Sequence, residues 1–203
     1  MKIVEQSYEI ETPLDHIAGM LKRIEKAGRT CYKSEEKITT DSSEEFVKMI
    51  IRRGHESVLE HESITVRIIC DRGVSHEIVR HRLAAYSQES TRYCNYGGKD
   101  IQIVHPKGLT EAQIMQRTDL YWHVQAVYDS EIMNGVSPQI ARGVLPTSLK
   151  TEIVVTYDLR EWRHFFKLRC AAAAHPQMRE IAIPIHAEFA KLLPPVFGAA
   201  ANV

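Results

Sequence analysis

The chain has 203 residues, enough for one domain, 1–203, with a sizeable core, and its 26 Lys and Arg are balanced by 26 Asp and Glu. A formal net charge of zero argues against a non-specific nucleic-acid binder, which is normally basic, while leaving room for a local cationic pocket. No apolar run is long enough to span a bilayer, and the opening MKIVEQSYEIETP alternates and carries acids, unlike a signal peptide.

Residues 1–10 alternate loosely and predict a strand. Thr12-Pro13 reads as N-cap and first helical position. Leu14, Ile17, Ala18, Leu21 and Ile24 share one helical face, and Gly28 closes that helix. Asp41, Ser42 and Ser43 precede a short helix, Glu44 to Arg53, ending at Gly54. Ile64, Val66, Ile68 and Cys70 alternate with polar residues as a half-buried strand, which Gly73 breaks. Val74 to Arg82 has helical spacing. Gly97 and Gly98 mark a loop between Cys94 and Asp100.

Thr110 and Gln113 form a capping box that opens a long helix to about Asn134, ended by Gly135. Ser137-Pro138 opens a short helix stopped by Pro146. Thr151 to Tyr157, rich in Ile, Val and Thr, predicts a strand. Leu159 to Ala174 is helical. Pro176 begins a final helix that Pro184 should kink or interrupt. Strands and helices do not alternate regularly, and no Gly-rich phosphate loop follows a strand. The fold class is therefore α+β, a mixed sheet packed with helices, and not Rossmann. Cys31, Cys70, Cys94 and Cys170 form no close pair and no metal-type spacing. Free thiols in the cytoplasm are the simplest reading.

Three stretches carry candidate chemistry. Arg80 to Tyr93 reads RHRLAAYSQESTRY, with Arg80, His81, Arg82 and Arg92 beside a run of hydroxyls and amides. Guanidinium forks bind phosphate or carboxylate two bonds at a time, and Gln88, Glu89, Ser90 and Thr91 suit the edges of a small planar ligand. A helix end with surface salt bridges is the plainer alternative. His55 and His61 lie six apart, which is not the four-residue spacing of zinc hydrolases, so no metal site is assigned. The stretch Asp158 to Arg169 reads either as an amphipathic helix with a solvated basic face or as a ligand-binding helix.

Arg80-His81-Arg82, seven residues and then Ser90, followed by Arg92 and Tyr93, resembles the signature of the flavin-dependent thymidylate synthases. His55, Ser57, Glu60 and His61 match a second block of that family, Asp158 to Arg169 a third, and Ile140 to Pro146 a short fourth. The resemblance covers about residues 29 to 180, in the family's order. It implies the family's fold and the reductive methylation of dUMP to dTMP. The one-carbon donor would be 5,10-methylenetetrahydrofolate, with FAD as cofactor and NADPH as reductant. It also implies a homotetramer, while the balanced charge and the absence of a long apolar run lead us to expect neither nucleic acid nor membrane as a partner.

Residue by residue, the resemblance assigns Ser57, Glu60, Arg80, His81, Arg82, Gln88, Asp158, Arg160 and His164 to the flavin. It assigns Glu77, Arg80, Gln88, Glu89, Ser90, Thr91, Arg92 and Arg142 to the nucleotide. His55 would lie near the flavin ring. Arg169 matches the arginine that orients and polarises the pyrimidine. Where this chain has Asp158 the family usually has Asn, and an ionised Asp cannot donate a hydrogen bond.

Two other functions stay open on the residues alone. The Arg cluster could serve a non-catalytic nucleotide- or nucleic-acid-binding module. Ser90 with a histidine base, or a metal, could make a hydrolase, although no Gly-x-Ser-x-Gly elbow surrounds Ser90.

Overall fold

A computed structural model describes residues 1–198; residues 199–203 of the expected domain lie outside the described residues. The chain runs β1 (Lys2–Val4), β2 (Ser7–Ile10), α1 (Leu14–Thr30) and α2 (Ser42–Arg52). Next come β3 (Ser63–Asp71), α3 (Arg72–Ile78), β4 (Ala84–Gln88), β5 (Gln102–Val104) and α4 (Glu111–Met133). It closes with α5 (Pro138–Ala141), β6 (Lys150–Asp158), α6 (Leu159–Arg169), α7 (Pro176–Leu192) and α8 (Pro194–Phe197). Short 3-10 segments cover Glu35–Lys37, Glu56–His61 and Arg142–Val144. One sheet has the strand order β2-β3-β6-β4, and β1 pairs in parallel with β5, Lys2 opposite Gln102. This is an α+β architecture, without a Rossmann unit among the described residues.

The described chain forms two compact units. One comprises 1–7, 68–80 and 87–153, the other 8–67, 81–86 and the described residues from 154 onward. The second unit holds an aromatic core built by α6, α7 and α8. Trp162 stacks on Phe166 at 5.4 Å between centroids and meets Phe189 edge-on at 5.0 Å. Aromatic burial of this kind supplies area and fixed geometry together. The indole N–H of Trp162 is not orphaned, since it donates to the Ile64 carbonyl at 3.0 Å. In the first unit Ile101, Ile103, Tyr121 and Leu149 form a smaller buried cluster.

Several sequence expectations need correction. Helix α1 does not stop at Gly28 but continues to Thr30. Gly28 is there for close approach: a Cβ would lie 2.6 Å from Phe46 Cζ. Thr12 is not the cap; its hydroxyl instead accepts from the Thr65 amide at 2.8 Å. Gly73 does not separate strand from helix, because α3 starts at Arg72 and Asp71 caps it by accepting from Val74 N at 2.6 Å. That helix ends at Ile78, so Arg80–Arg82 leave it and the following residues form β4. Helix α6 ends at Arg169, short of Ala174. Pro184 costs α7 one backbone bond yet does not interrupt it; Ile181, Ala182, Ile185 and Phe189 are buried around it. The capping box of Thr110 and Gln113 is formed as expected, and Gly135 has φ +84°.

Candidate active site

In the second unit the site is built around His81, which is 4% exposed. Its Nδ1 lies 2.7 Å from Glu161 Oε1. On the other side its Nε2 receives a hydrogen bond from Arg169 Nε at 3.1 Å. A guanidinium can only donate, so His81 Nε2 holds the lone pair and Nδ1 carries the proton toward the Glu161 carboxylate. Burial pushes the His81 pKa below its ordinary 6.5, against the upward pull of Glu161 and with help from Arg169 and His164. The neutral tautomer follows from both facts.

The backbone at this point is tied down as well. Tyr86 donates its hydroxyl to the His81 carbonyl and shares a 2.9 Å hydrogen bond with Tyr157. Burial raises the pKa of both tyrosines, so both stay neutral hydroxyls. Glu161 and Arg169 bracket α6, while His81 sits just before β4. The arrangement depends on the α6 start, which Asp158 fixes by accepting from Glu161 N at 2.7 Å. Burial raises the Asp158 pKa, and the capping amide opposes that shift.

Two concavities open in this unit. One, of about 450 Å³, is lined by Glu60, Leu83, Asp158, Arg160, His164 and Lys167, among others. The other, of about 420 Å³, includes Tyr32, Phe46, Gly54, His55 and Ser57, and Glu56 and Arg160 line both. Arg160 pairs with Glu60 at 2.5 Å, and Tyr32 meets His55 at 3.4 Å. Cations beside flat rings suit a ligand with both a polyanionic and a planar part. Thus Ser57, Glu60, His81, Asp158, Arg160, His164 and Arg169 fall in one unit, as does the exposed Arg82.

The first unit gathers most of the residues assigned to the nucleotide. Gln88 donates to Ser75 Oγ at 2.9 Å and Thr151 Oγ1 at 3.1 Å. Glu89 accepts from the Tyr96 hydroxyl at 2.7 Å and from Lys150 at 3.0 Å. Ser90 Oγ accepts from Arg92 N at 3.3 Å, a turn contact, and Arg92 Nε donates to Gln139 at 3.2 Å. Arg142 reaches Thr91 Oγ1 at 3.5 Å. Glu77 and the exposed Arg80 also belong here, joined by a backbone bond from Arg80 N to the Glu77 carbonyl at 3.2 Å.

His81, Glu161 and His164 offer donor atoms within 4.8 Å of one another. Both His81 nitrogens are already engaged, one of them by a guanidinium, so a metal ion there would have to break the Arg169 contact. The same engagement leaves His81 poorly suited as the base of a serine nucleophile.

Sequence reading missed Glu161, Glu56, Tyr32 and Lys167. Glu161 had one available signal, an acid in the first turn of a helix, but that is common for dipole reasons alone.

Residues 14–195 match the family model described as thymidylate synthase complementing protein. The flavin-dependent thymidylate synthase of Geobacter sulfurreducens is 37% identical over 180 residues, covering 84% of this chain and 77% of that protein. That of Pyrococcus furiosus is 36% identical over 172 residues, covering 81% and 69%. The Mycobacterium tuberculosis protein of the same name is 36% identical over 195 residues, covering 86% and 77%. In fold the chain is similar to a UMP/dUMP methylase, PolB from Streptomyces cacaoi, solved with 5-Br UMP. That likeness has a TM-score of 0.81 at 22% identity, over 100% of this chain and 98% of that one. With its family match over 14–195 and relatives this similar over most of its length, the chain belongs to the flavin-dependent thymidylate synthase family.

Proposed function

We propose that this protein methylates dUMP reductively to dTMP, with 5,10-methylenetetrahydrofolate as one-carbon donor, FAD as cofactor and NADPH as reductant. The observation that carries this reading is the Arg169 guanidinium, held through Nε by the neutral His81. C5 of uracil is a weak nucleophile until charge moves toward a ring carbonyl. A guanidinium already fixed in plane stabilises that charge as it develops, with little reorganisation during the reaction.

The residues present fit a flavin dinucleotide. Arg160 and Lys167 supply cations for a pyrophosphate, while Tyr32, Phe46 and His55 supply flat walls for rings. We assign Ser57, Glu60, Arg80, His81, Arg82, Gln88, Asp158, Arg160 and His164 to its binding. When bound, the flavin supplies the reducing equivalents that take the transferred carbon to the methyl level.

Ser90, Thr91, Arg92 and Arg142, with Glu77, Gln88 and Glu89, are assigned to the nucleotide. Their work is to position phosphate and sugar, which lowers the barrier by restricting motion beforehand. Gln88 and Glu89 are already held by neighbours, which favours fixed recognition over adaptation.

A homotetramer acting as one family domain per chain is part of the reading. Exposed Met115, Leu120, Trp122, Val127 and Met133 on α4 support such an assembly. Cytoplasmic residence is supported by four unpaired cysteines. Among the described residues no helix is long and apolar enough to cross a membrane.

The test is direct. Purified protein should show flavin absorbance that changes when dUMP is added. It should form thymidylate from dUMP, methylenetetrahydrofolate and NADPH. Protein that binds no FAD under titration and forms no thymidylate would refute the reading.

A further inference from the structure

We propose that Glu161 is a positioning residue, which acts through His81 to fix the plane of the Arg169 guanidinium. The inference rests on the role given to Arg169 above.

The geometry is a linear relay. Glu161 Oε1 accepts from His81 Nδ1 at 2.7 Å, and His81 Nε2 accepts from Arg169 Nε at 3.1 Å. An imidazole with one proton presents one donor and one acceptor. The Arg169 donor requires the lone pair on Nε2, and the buried carboxylate, 8% exposed, gives the Nδ1 proton its acceptor. Without that carboxylate the Nδ1 proton is left buried with no acceptor, and its only alternative is Nε2. A donor would then face the Arg169 donor, and the contact would become repulsive.

Surrounding groups limit what else His81 can do. From α6 it faces Glu161, His164 and Arg169, and its ring lies edge-on to Phe165 at 5.0 Å. From β6 the neutral Tyr157 lies 6.0 Å away between centroids. Tyr86 clamps the His81 carbonyl, so the ring cannot follow a backbone shift. Glu161 is therefore the one carboxylate among those groups, and the α6 register set by Asp158 puts it in reach.

The experiment uses the full chain saturated with FAD. It compares wild type with Glu161→Gln, Glu161→Leu, Arg169→Ala and the double variant Glu161→Leu/Arg169→Ala. Nitrogen NMR of labelled histidine reads the tautomer, with the His81 signal identified by its loss in His81→Gln. Wild type and Glu161→Gln should carry the proton on Nδ1, since a Gln oxygen also accepts, and Glu161→Leu should not. In single-turnover thymidylate formation Glu161→Leu should slow by roughly ten- to a hundredfold, the usual range for a supporting partner. Its dUMP affinity should change much less. Glu161→Gln should lose less, and its acid limb should move to lower pH, because no carboxylate remains to hold a second proton on His81. The double variant should be no slower than Arg169→Ala alone.

A normal rate in Glu161→Leu overturns the positioning role whatever the imidazole signals show. So does an acid limb that stays in place in Glu161→Gln, or additive losses in the double variant. A wild-type rate in Arg169→Ala instead overturns the role of Arg169, and the tautomer measurement keeps the two failures apart.

Discussion

Asp158 caps α6 by accepting a hydrogen bond from the Glu161 amide at 2.7 Å. The family usually has Asn at this position, and an amide oxygen can accept the same bond. The difference between the two residues is thus one charge at the edge of the larger concavity rather than a lost cap. Asp158→Asn should keep the melting temperature of the parent or raise it, because burial disfavours the carboxylate. Asp158→Ala should lose about 1 kcal/mol, the usual cost of a missing N-cap. Thermal unfolding of the pair checks this; equal losses in both would mean that the cap contributes nothing.

The same substitution has a redox consequence. Negative charge beside the flavin disfavours its anionic reduced form, so Asp158→Asn should be easier to reduce than the parent. A spectroelectrochemical titration measures it. An unchanged midpoint potential would place the carboxylate away from the ring or show it neutralised.

Arg160 is paired with Glu60 and borders both concavities, which makes it a sensitive probe of cofactor binding. Arg80→Ala and Arg160→Ala should each weaken FAD retention in a fluorescence titration. Arg53→Ala, an exposed residue at the end of α2, should not. Identical titrations for all three would remove Arg80 and Arg160 from the flavin site.

Arg169 acts mainly in the transition state under the proposed mechanism, so its loss should lower turnover more than dUMP affinity. Losing such a donor typically costs roughly 2.7–4 kcal/mol, about a hundred- to a thousandfold in rate. Arg169→Lys should rescue little, since an ammonium lacks the Nε–H that engages His81. Ser90→Ala should cost less than either. Single-turnover assays in which only Ser90→Ala abolishes product would make Ser90 the reacting group.

His81 also predicts a pH dependence of stability. Its folded pKa is below 6.5, so above 6.5 it is neutral in both states and contributes no slope. As pH falls through 6.5 the unfolded chain takes up a proton that the folded chain refuses. Stability therefore declines until the folded pKa is passed, then levels. Denaturant midpoints of wild type and His81→Gln should keep a constant separation above pH 6.5, and below it the wild type should lose more on acidification. Parallel curves for the two proteins would show that His81 does not carry this slope.

Local signals in the sequence were legible where the physics is local. The Thr110–Gln113 capping box needs only four residues, and Gly135 needs only its own φ, so the start and end of α4 could be read directly. Gly28 misled because its purpose is tertiary. A glycine at a helix end and a glycine under Phe46 look alike until the partner helix is in place. Gly73 hid the Asp71 cap for a similar reason, since a breaker and a first-turn glycine share one letter. The site divided the same way. Arg80, His81, Arg82 and Arg169 stand in motifs, whereas Glu161 acquires meaning only through a residue 80 positions earlier. No spacing rule reaches that far.

The β1–β5 pair has a consequence for the order in which the chain is made. Lys2 is opposite Gln102, and Val4 is opposite Val104. During synthesis β1 is finished long before its partner exists, and neither strand exceeds three residues. It has no hairpin to zip along, because a parallel pair needs a long crossover. Closing a loop of this length must precede any reward from the contact. The Ile103 side chain, fully buried, then supplies the reason to stay. The amino-terminal strand is therefore expected to be among the last pieces to dock on the ribosome-released chain, and pulse-labelled hydrogen exchange during refolding should find the amides of Lys2 to Val4 protected late.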